Sequence, residues 1–160
     1  MRIIGIDPGT SVTGIGIIET DGRGTCSPVF YGSLKFPEKD LWVTLPDCHR
    51  QLVEIISTYR PGQAAIEDVF YGANVKSTVK LAHLRGVILA VFGLHGIPVA
   101  AYSPASVKKT VAGYGRADKE QLRFLIQHEL NIDLSAEPLD VSDALSVAIC
   151  HAQHLVFQQE

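Results

Sequence analysis

Met1-Arg2-Ile3-Ile4-Gly5-Ile6-Asp7 opens the chain as an apolar, β-branched run that stops abruptly on a carboxylate and passes at once into Pro8-Gly9-Thr10. β-branched residues bounded by a Pro-Gly pair read as a strand and a tight turn, because Pro8 presets φ and Gly9 permits a positive φ. The segment from Ser11 to Glu19, with Gly14 and Gly16, then returns beside the first strand. An acid is thereby placed at the C-terminal tip of a buried strand. An Asp-Pro-Gly on its own also starts an ordinary turn, so the weight of the reading rests on where the other acids fall.

Working outward, residues 2–7, about 12–20 and about 28–36 read as three strands joined by short connections, hence antiparallel neighbours. The period then changes. Leu45, Cys48, Leu52, Ile55, Ile56 and Tyr59 recur at helical spacing, with Thr44 and Asp47 as a capping arrangement and Pro46 in the first turn. Arg60-Pro61-Gly62 ends that helix, and Ala64-Ala65-Ile66-Glu67 is a second apolar run that stops on a carboxylate. A strand-helix-strand order makes it a parallel partner whose tip lies at the same end as the first, so Glu67 is expected near Asp7. A long helix over about 75–94 follows, with Lys76, Lys80 and His83 on one face and Val79, Ala82, Gly86 and Leu89 on another. Residues 96–101 read as a strand and Ser103-Pro104 as the cap of a short helix to about 111. Asp118 with Gln121 caps a helix whose core face is Leu122, Leu125, Ile126 and Leu130, and Pro138 opens a last helix to about 157.

At 160 residues and 46% hydrophobic, the chain suits one domain, residues 1–160, with a sizeable core. The apolar stretch from Gly86 to Tyr102 is interrupted by His95 and Pro98 and falls short of the ~20 residues that a membrane span needs. The N-terminus lacks the succession of an export signal, and Cys26, Cys48 and Cys150 are odd in number and scattered. Both features fit a cytoplasmic protein with reduced thiols. The net charge of -3 conceals an asymmetry: between Lys76 and Arg123 eight basic residues face two acids, a net +6, which leaves -9 for the rest. A basic surface beside an acidic cluster suits a polyanion, although two solvated helix faces have the same composition.

Asp140 and Asp143, three apart near the start of the last helix, project from one face where the helix N-terminus favours negative charge. Capping that helix is the simpler role for this pair alone. Together with Asp7 and Glu67, however, they make four carboxylates that one sheet-and-helix domain can gather. Such crowding raises pKa values unless divalent cations neutralise it, and an all-oxygen set favours Mg2+ or Mn2+ over zinc. Two classes accommodate an acid at a strand tip followed by Pro-Gly-Thr. An actin-like sugar kinase or ATPase needs two such domains and a second phosphate loop, whereas a metal-dependent nuclease of the ribonuclease H type needs one domain and these acids.

The motifs taken together resemble the RuvC family of crossover junction endodeoxyribonucleases, the Holliday-junction resolvases. They are Ile4 to Thr10 with Thr13-Gly14, Ile66-Glu67 with Phe70 and Asn74, Leu81 with Arg85-Gly86, Tyr102-Ser103-Pro104 with Val107-Lys108, Gly113 with Gly115 to Gln121, and Asp140 with Asp143-Ala144-Leu145 and His151. The resemblance covers nearly the whole chain in order and spacing. It implies a ribonuclease H-like α/β fold, a five-stranded mixed sheet with its first three strands antiparallel and helices on its flanks. It implies that Asp7, Glu67, Asp140 and Asp143 are the catalytic metal ligands, holding two Mg2+ ions that cut a phosphodiester to a 5′-phosphate and a 3′-hydroxyl.

The resemblance also makes Phe70 an aromatic that stacks at the opened junction, and Asn74, Lys76, Lys108 and Lys119 candidates for holding phosphates. Phe70 also suits a core position, and the lysines also suit a solvated face. His151 and His154 suggest a metal pair by type, but near a helix C-terminus they are expected to meet the dipole or the adjoining surface. A two-fold junction needs two nicks, so a C2 homodimer is expected, with the interface on the 75–94 helix. Cooperation with RuvA and RuvB follows from the family alone. The chain departs from the family pattern at Ala73 and Ala105, where relatives often carry a basic residue, at Tyr114 in the glycine loop, and at Pro46. Those departures bear on affinity, sequence preference and the first helix rather than on the acids. A junction binder without cleavage, a ribonuclease H and a transposase-like enzyme are the alternative readings.

Overall fold

A computed structural model describes residues 1–37, 40–68 and 74–157. The elements in chain order are β1 (Arg2–Asp7), β2 (Val12–Thr20), β3 (Cys26–Lys35), α1 (Leu41–Tyr59), β4 (Gln63–Glu67), α2 (Val75–Leu94), β5 (Val99–Tyr102), α3 (Pro104–Ala112), α4 (Lys119–Leu130) and α5 (Leu139–Phe157). The sheet is five-stranded in the order β3-β2-β1-β4-β5. β1 pairs antiparallel with β2, β2 antiparallel with β3, and β1 and β4 are parallel, as are β4 and β5. β3 begins at Cys26 and contains Pro28, which an edge strand tolerates because the missing donor sits on the unpaired side or at a bulge. The register shifts there, between Ile17 and Ile18.

Alternation along the strands sorts the two faces. Ile4, Ile6, Ile15, Ile17, Ala64 and Ile66 point into a core with α1 and α2. Ile3 and Ile18 point the other way, into a core with α4 and α5, and Ala65 packs with Val107 of α3 and Val147 and Cys150 of α5. By the same period of two, Asp7 follows Ile3 and Gly5 onto the α5 face, and Glu67 follows Ala65. Strand parity therefore aims both acids at α5.

α5 lies unusually close to that face. A side chain at Gly5 would collide with the Ala144 carbonyl, one at Gly14 with the Asp140 carbonyl, and one at Gly16 would meet the Leu145 side chain at 2.7 Å. Gly14 pairs with Asp7 and Gly16 with Gly5 in the β1–β2 ladder, so the three glycines form one bare patch under the helix. Residues 141–150 of α5 are all buried, and its serines satisfy themselves within the helix: Ser142 Oγ donates to Leu139 O and Ser146 Oγ to Ser142 O, each at 2.7 Å.

Two readings need correction, the start of α1 and the start of β5. α1 starts at Leu41, capped by Asp40, whose Oδ1 accepts from Trp42 N at 3.0 Å; Thr44 is buried inside the helix, and Asp47 binds Arg50 and Gln51. Pro46 is thus interior rather than in the first turn, and it leaves the Trp42 carbonyl without its helical donor. β5 is shorter than expected and begins at Val99, because Gly96 takes a positive φ of 66° and Ile97 N still bonds back to Phe92 O. The core face of α2 is Leu84, Ile88, Val91 and Phe92, whereas Val79 is 47% exposed. α2 is also long and apolar enough to cross a membrane by length and composition. In this fold one side of it packs on the sheet and α1 and the other is left bare.

Candidate active site

The β1–β2 turn is held from within. Thr13, fully buried, accepts from Gly9 N at 3.2 Å and donates to Gly9 O at 2.9 Å, and Ser11 O accepts from Phe36 N at 2.9 Å. Asp7 at its edge is 8% exposed and Asp143 7%. At the neighbouring strand tip, Asp68 N donates to Tyr102 O at 2.8 Å and Arg85 Nη2 to Asp68 Oδ1 at 3.0 Å, which ties the end of β4 to β5 and α2.

The expected acids meet electrostatically. Burial first, then the charges of Glu67 and Asp143, push the Asp7 carboxyl up to about 8, with Lys119 opposing and Asp140 adding to the rise. Glu67 is also raised, by burial and by Asp143, while a hydrogen bond with Asp7 and the charges of Lys119 and Lys108 pull it down. Asp7 and Glu67 thus each hold a proton more readily than an ordinary carboxyl at the two strand tips. Lys119 Nζ stands 2.5 Å from Asp143 Oδ2. Burial works against that ammonium, but its hydrogen bond to Asp143 and the charges of Asp143, Asp7 and Asp140 outweigh it, and its pKa is raised. Within the chain Lys119 offsets only part of the charge of these acids, and a net negative charge is left at the site.

A cleft of about 210 Å³ is lined by Glu67, Asp143, Lys108 and Lys119, with Pro104, Val107 and Leu122 behind them. Among the described residues no three His, Cys, Asp or Glu side chains are already drawn to metal-binding spacing. The donor chemistry nevertheless fits a hard divalent cation: every candidate ligand is a carboxylate oxygen, and burial and then mutual repulsion raise Asp7 and Glu67, both of which such a cation offsets.

Of the other expected residues, Lys108 and Lys119 join the cleft. Asn74 caps α2, its Oδ1 accepting from Ser77 N at 3.3 Å, and Lys76 is exposed on the first turn of that helix. Phe70 and Ala73 lie outside the described residues. His151 departs from the surface position expected of it. It is buried at 5% exposure, with Nε2 bonded to Gln63 Oε1 at 2.7 Å and Nδ1 to the Tyr102 hydroxyl at 2.8 Å. Burial and His154 lower its pKa, which keeps the ring neutral: Nε2–H donates to Gln63 and Nδ1 accepts from Tyr102. This chain pins α5 to β4 and β5, and its Tyr102 is the register partner of Glu67. No motif announced it, because its three members are far apart in sequence.

Comparison with known proteins agrees with the geometry. The family model described as crossover junction endodeoxyribonuclease RuvC matches residues 3–151. A protein named crossover junction endodeoxyribonuclease RuvC in Desulforamulus reducens is 41% identical over 96% of this chain and 94% of its own length. Its namesake in Koribacter versatilis is 42% identical over 94% of this chain and 92% of its own. Among solved structures, T. thermophilus RuvC in complex with Holliday junction substrate superposes with a TM-score of 0.91 at 27% identity, covering 99% of this chain and 96% of that one. The mixed sheet expected from the sequence is the sheet of that structure. With acids on two adjacent strand tips under α5, a model match across most of the chain and relatives matched over nearly their full length, the chain belongs to the RuvC family of crossover junction endodeoxyribonucleases.

Proposed function

We propose that this chain resolves four-way DNA junctions by paired nicks, with Asp7, Glu67, Asp140 and Asp143 as its catalytic, metal-holding acids. The observation that carries the reading is the raised Asp7–Glu67 pair facing Asp143 across the tips of two parallel strands. Nucleases of this family depend on divalent metal. Two Mg2+ ions, or Mn2+ in their place, supply Lewis-acid activation of water and stabilisation of the leaving 3′ oxygen. The chain's own part is to hold those acids on rigid elements, and to present Lys108 and Lys119 along the cleft wall where phosphate oxygens come in. Asn74 and Lys76, at the start of α2, are further proposed phosphate contacts, and Phe70 supplies the stacking aromatic. The alternatives are separated by substrate. An end-labelled four-way junction with Mg2+ should be nicked at symmetry-related positions, leaving linear duplex and RNA–DNA hybrid intact; tight binding without nicks would favour a structural junction binder, and cutting of the hybrid a ribonuclease H.

Two nicks call for two sites, and α2 supplies the means. α2 carries apolar residues on its outer side as well as on its core side, and such a second apolar stripe needs cover of its own. Its bare side, Val79, Ala82, Gly86 and Ala90, forms a groove of about 530 Å³ that continues past Leu45 of α1 to exposed Trp42. A second copy related by C2 symmetry is the proposed occupant. Val79→Glu should convert the dimer to monomer in sedimentation and uncouple the nicks, so that singly cut junctions accumulate; an unchanged dimer would move the interface elsewhere. Cooperation with RuvA and RuvB and a cytoplasmic location complete the proposal. Family membership supports the first, and the DNA substrate with free Cys26, Cys48 and Cys150 supports the second.

A further inference from the structure

Three residues beyond Asp7 the chain lines a second small cavity, of about 160 Å³, that shares no residue with the acidic cleft. Thr10 and Ser11 of the β1–β2 turn, Leu41 and Thr44 of α1, and Ser77 and Lys80 of α2 form its wall. No carboxylate lines it. Asp40, the nearest acid in sequence, is engaged in capping α1 through Trp42 N. Among the described residues the Lys80 ammonium has no carboxylate within ion-pair reach, and the hydroxyls of Thr10, Ser11 and Ser77 make no hydrogen bond. Their backbone, by contrast, is tied down: Ser11 O accepts from Phe36 N, and Ser77 N donates to Asn74 Oδ1. One ammonium and three unengaged hydroxyls on a fixed frame form a donor set for a tetrahedral oxyanion. Asp7 and Thr10 are three residues apart, at most about 10 Å of extended chain.

We infer that the Thr10–Ser11–Ser77–Lys80 cavity is a phosphate subsite, which holds the backbone of the cut strand one or two nucleotides from the scissile bond. The inference rests on the junction-cutting reading and assigns its second anchoring point. Gripping the strand on both sides of the Pro8–Gly9 turn would fix the scissile phosphate over Asp7, a positioning role distinct from that of the lysines in the cleft.

The test uses the full chain, Ca2+ in place of Mg2+, and four-way junctions in which single phosphates are replaced in turn by neutral methylphosphonates. One replacement within two nucleotides of the nick should weaken native binding about 8-fold at 0.1 M salt, the worth of one phosphate contact at a slope of about 0.9 per contact. Lys80→Gln should lose the same factor, lower the salt slope by about 1, and show no further loss on that modified junction. Lys80 is exposed, so the variant folds; Ser77→Ala is the second variant and should give a smaller loss with the same insensitivity. Lys76→Ala, outside the cavity, should weaken binding yet keep the full penalty of the neutral linkage. If Lys80→Gln binds as the native protein does, or if its loss multiplies with that of every methylphosphonate, the subsite is overturned while the nuclease reading stands. A native protein that neither binds nor nicks any junction overturns both.

Discussion

Asp7→Asn should abolish cleavage and at the same time make the metal-free protein harder to unfold at alkaline pH. The first effect follows from the proposed ligand role. Changes to groups that only orient a metal ligand already lower activity or affinity by about 10–100-fold, so loss of a ligand itself is expected to exceed about 10³-fold. The second follows from the carboxyl's environment. Unfolded, Asp7 titrates near its ordinary 3.8; folded, burial and the neighbouring carboxylates push it up to about 8. A folded pKa above the unfolded one means stability is fully present below about pH 4 and is lost steadily as the pH rises to about 8. At 1.36 kcal/mol per pH unit the whole loss is on the order of 5 kcal/mol. Asparagine has nearly the same shape and no charge, so the variant's stability should fall much less steeply over that window, with the raised Glu67 leaving a residual slope. Urea unfolding in EDTA from pH 5 to pH 9 reads this directly. At pH 8 and 100 times its dissociation constant, Mg2+ should restore about 2.7 kcal/mol to the native protein and much less to the variant. A variant as pH-sensitive as the native chain would show that Asp7 is not where the repulsion is concentrated.

Asp7 and Glu67 announce themselves because each ends an apolar run, and strand parity carries both to one face. Asp140 and Asp143 follow from helical spacing. The three glycines were less transparent. Gly14 and Gly16 read as a turn returning, whereas their role is to remove side chains from beneath α5, a fact of packing between elements more than 120 positions apart. The contact of Lys119 with Asp143, the His151 chain to Gln63 and Tyr102, and the wall that brings Lys80 to Thr10 are likewise meetings of distant segments. The start of α1 misled for another reason. Pro46 suggests a first turn by its own preference, yet the Asp40 cap and the packing of Thr44, Cys48, Leu52 and Ile56 hold the helix together through it. Tertiary burial overrides local propensity there.

Gly14→Ala should be the most disruptive single-methyl change in the protein, and it links the fold to the chemistry. Its added carbon falls inside the Asp140 carbonyl and within 3.0 Å of Val141 N, both backbone atoms of α5 that no rotamer change can move. Either the helix start lifts, carrying Asp140 and Asp143 away from Asp7, or the strand yields and the fold opens. Overpacking in a tight core costs about 1–3 kcal/mol when side chains absorb it, and a clash with backbone belongs at or beyond the upper end. At 160 residues, 3 kcal/mol corresponds to a fall in Tm of about 6–12 °C. Cleavage should fall further than stability, at least about 10²-fold at temperatures where the variant is fully folded, because a misplacement of about 1 Å is enough for that. Gly93→Ala is the matched control: it lies in α2 with open space around its absent side chain, and alanine there should stabilise by about 1 kcal/mol through helix propensity. If Gly14→Ala melts and cuts like the native protein, α5 does not rest on the glycine patch, and the acids must be brought together by some other contact.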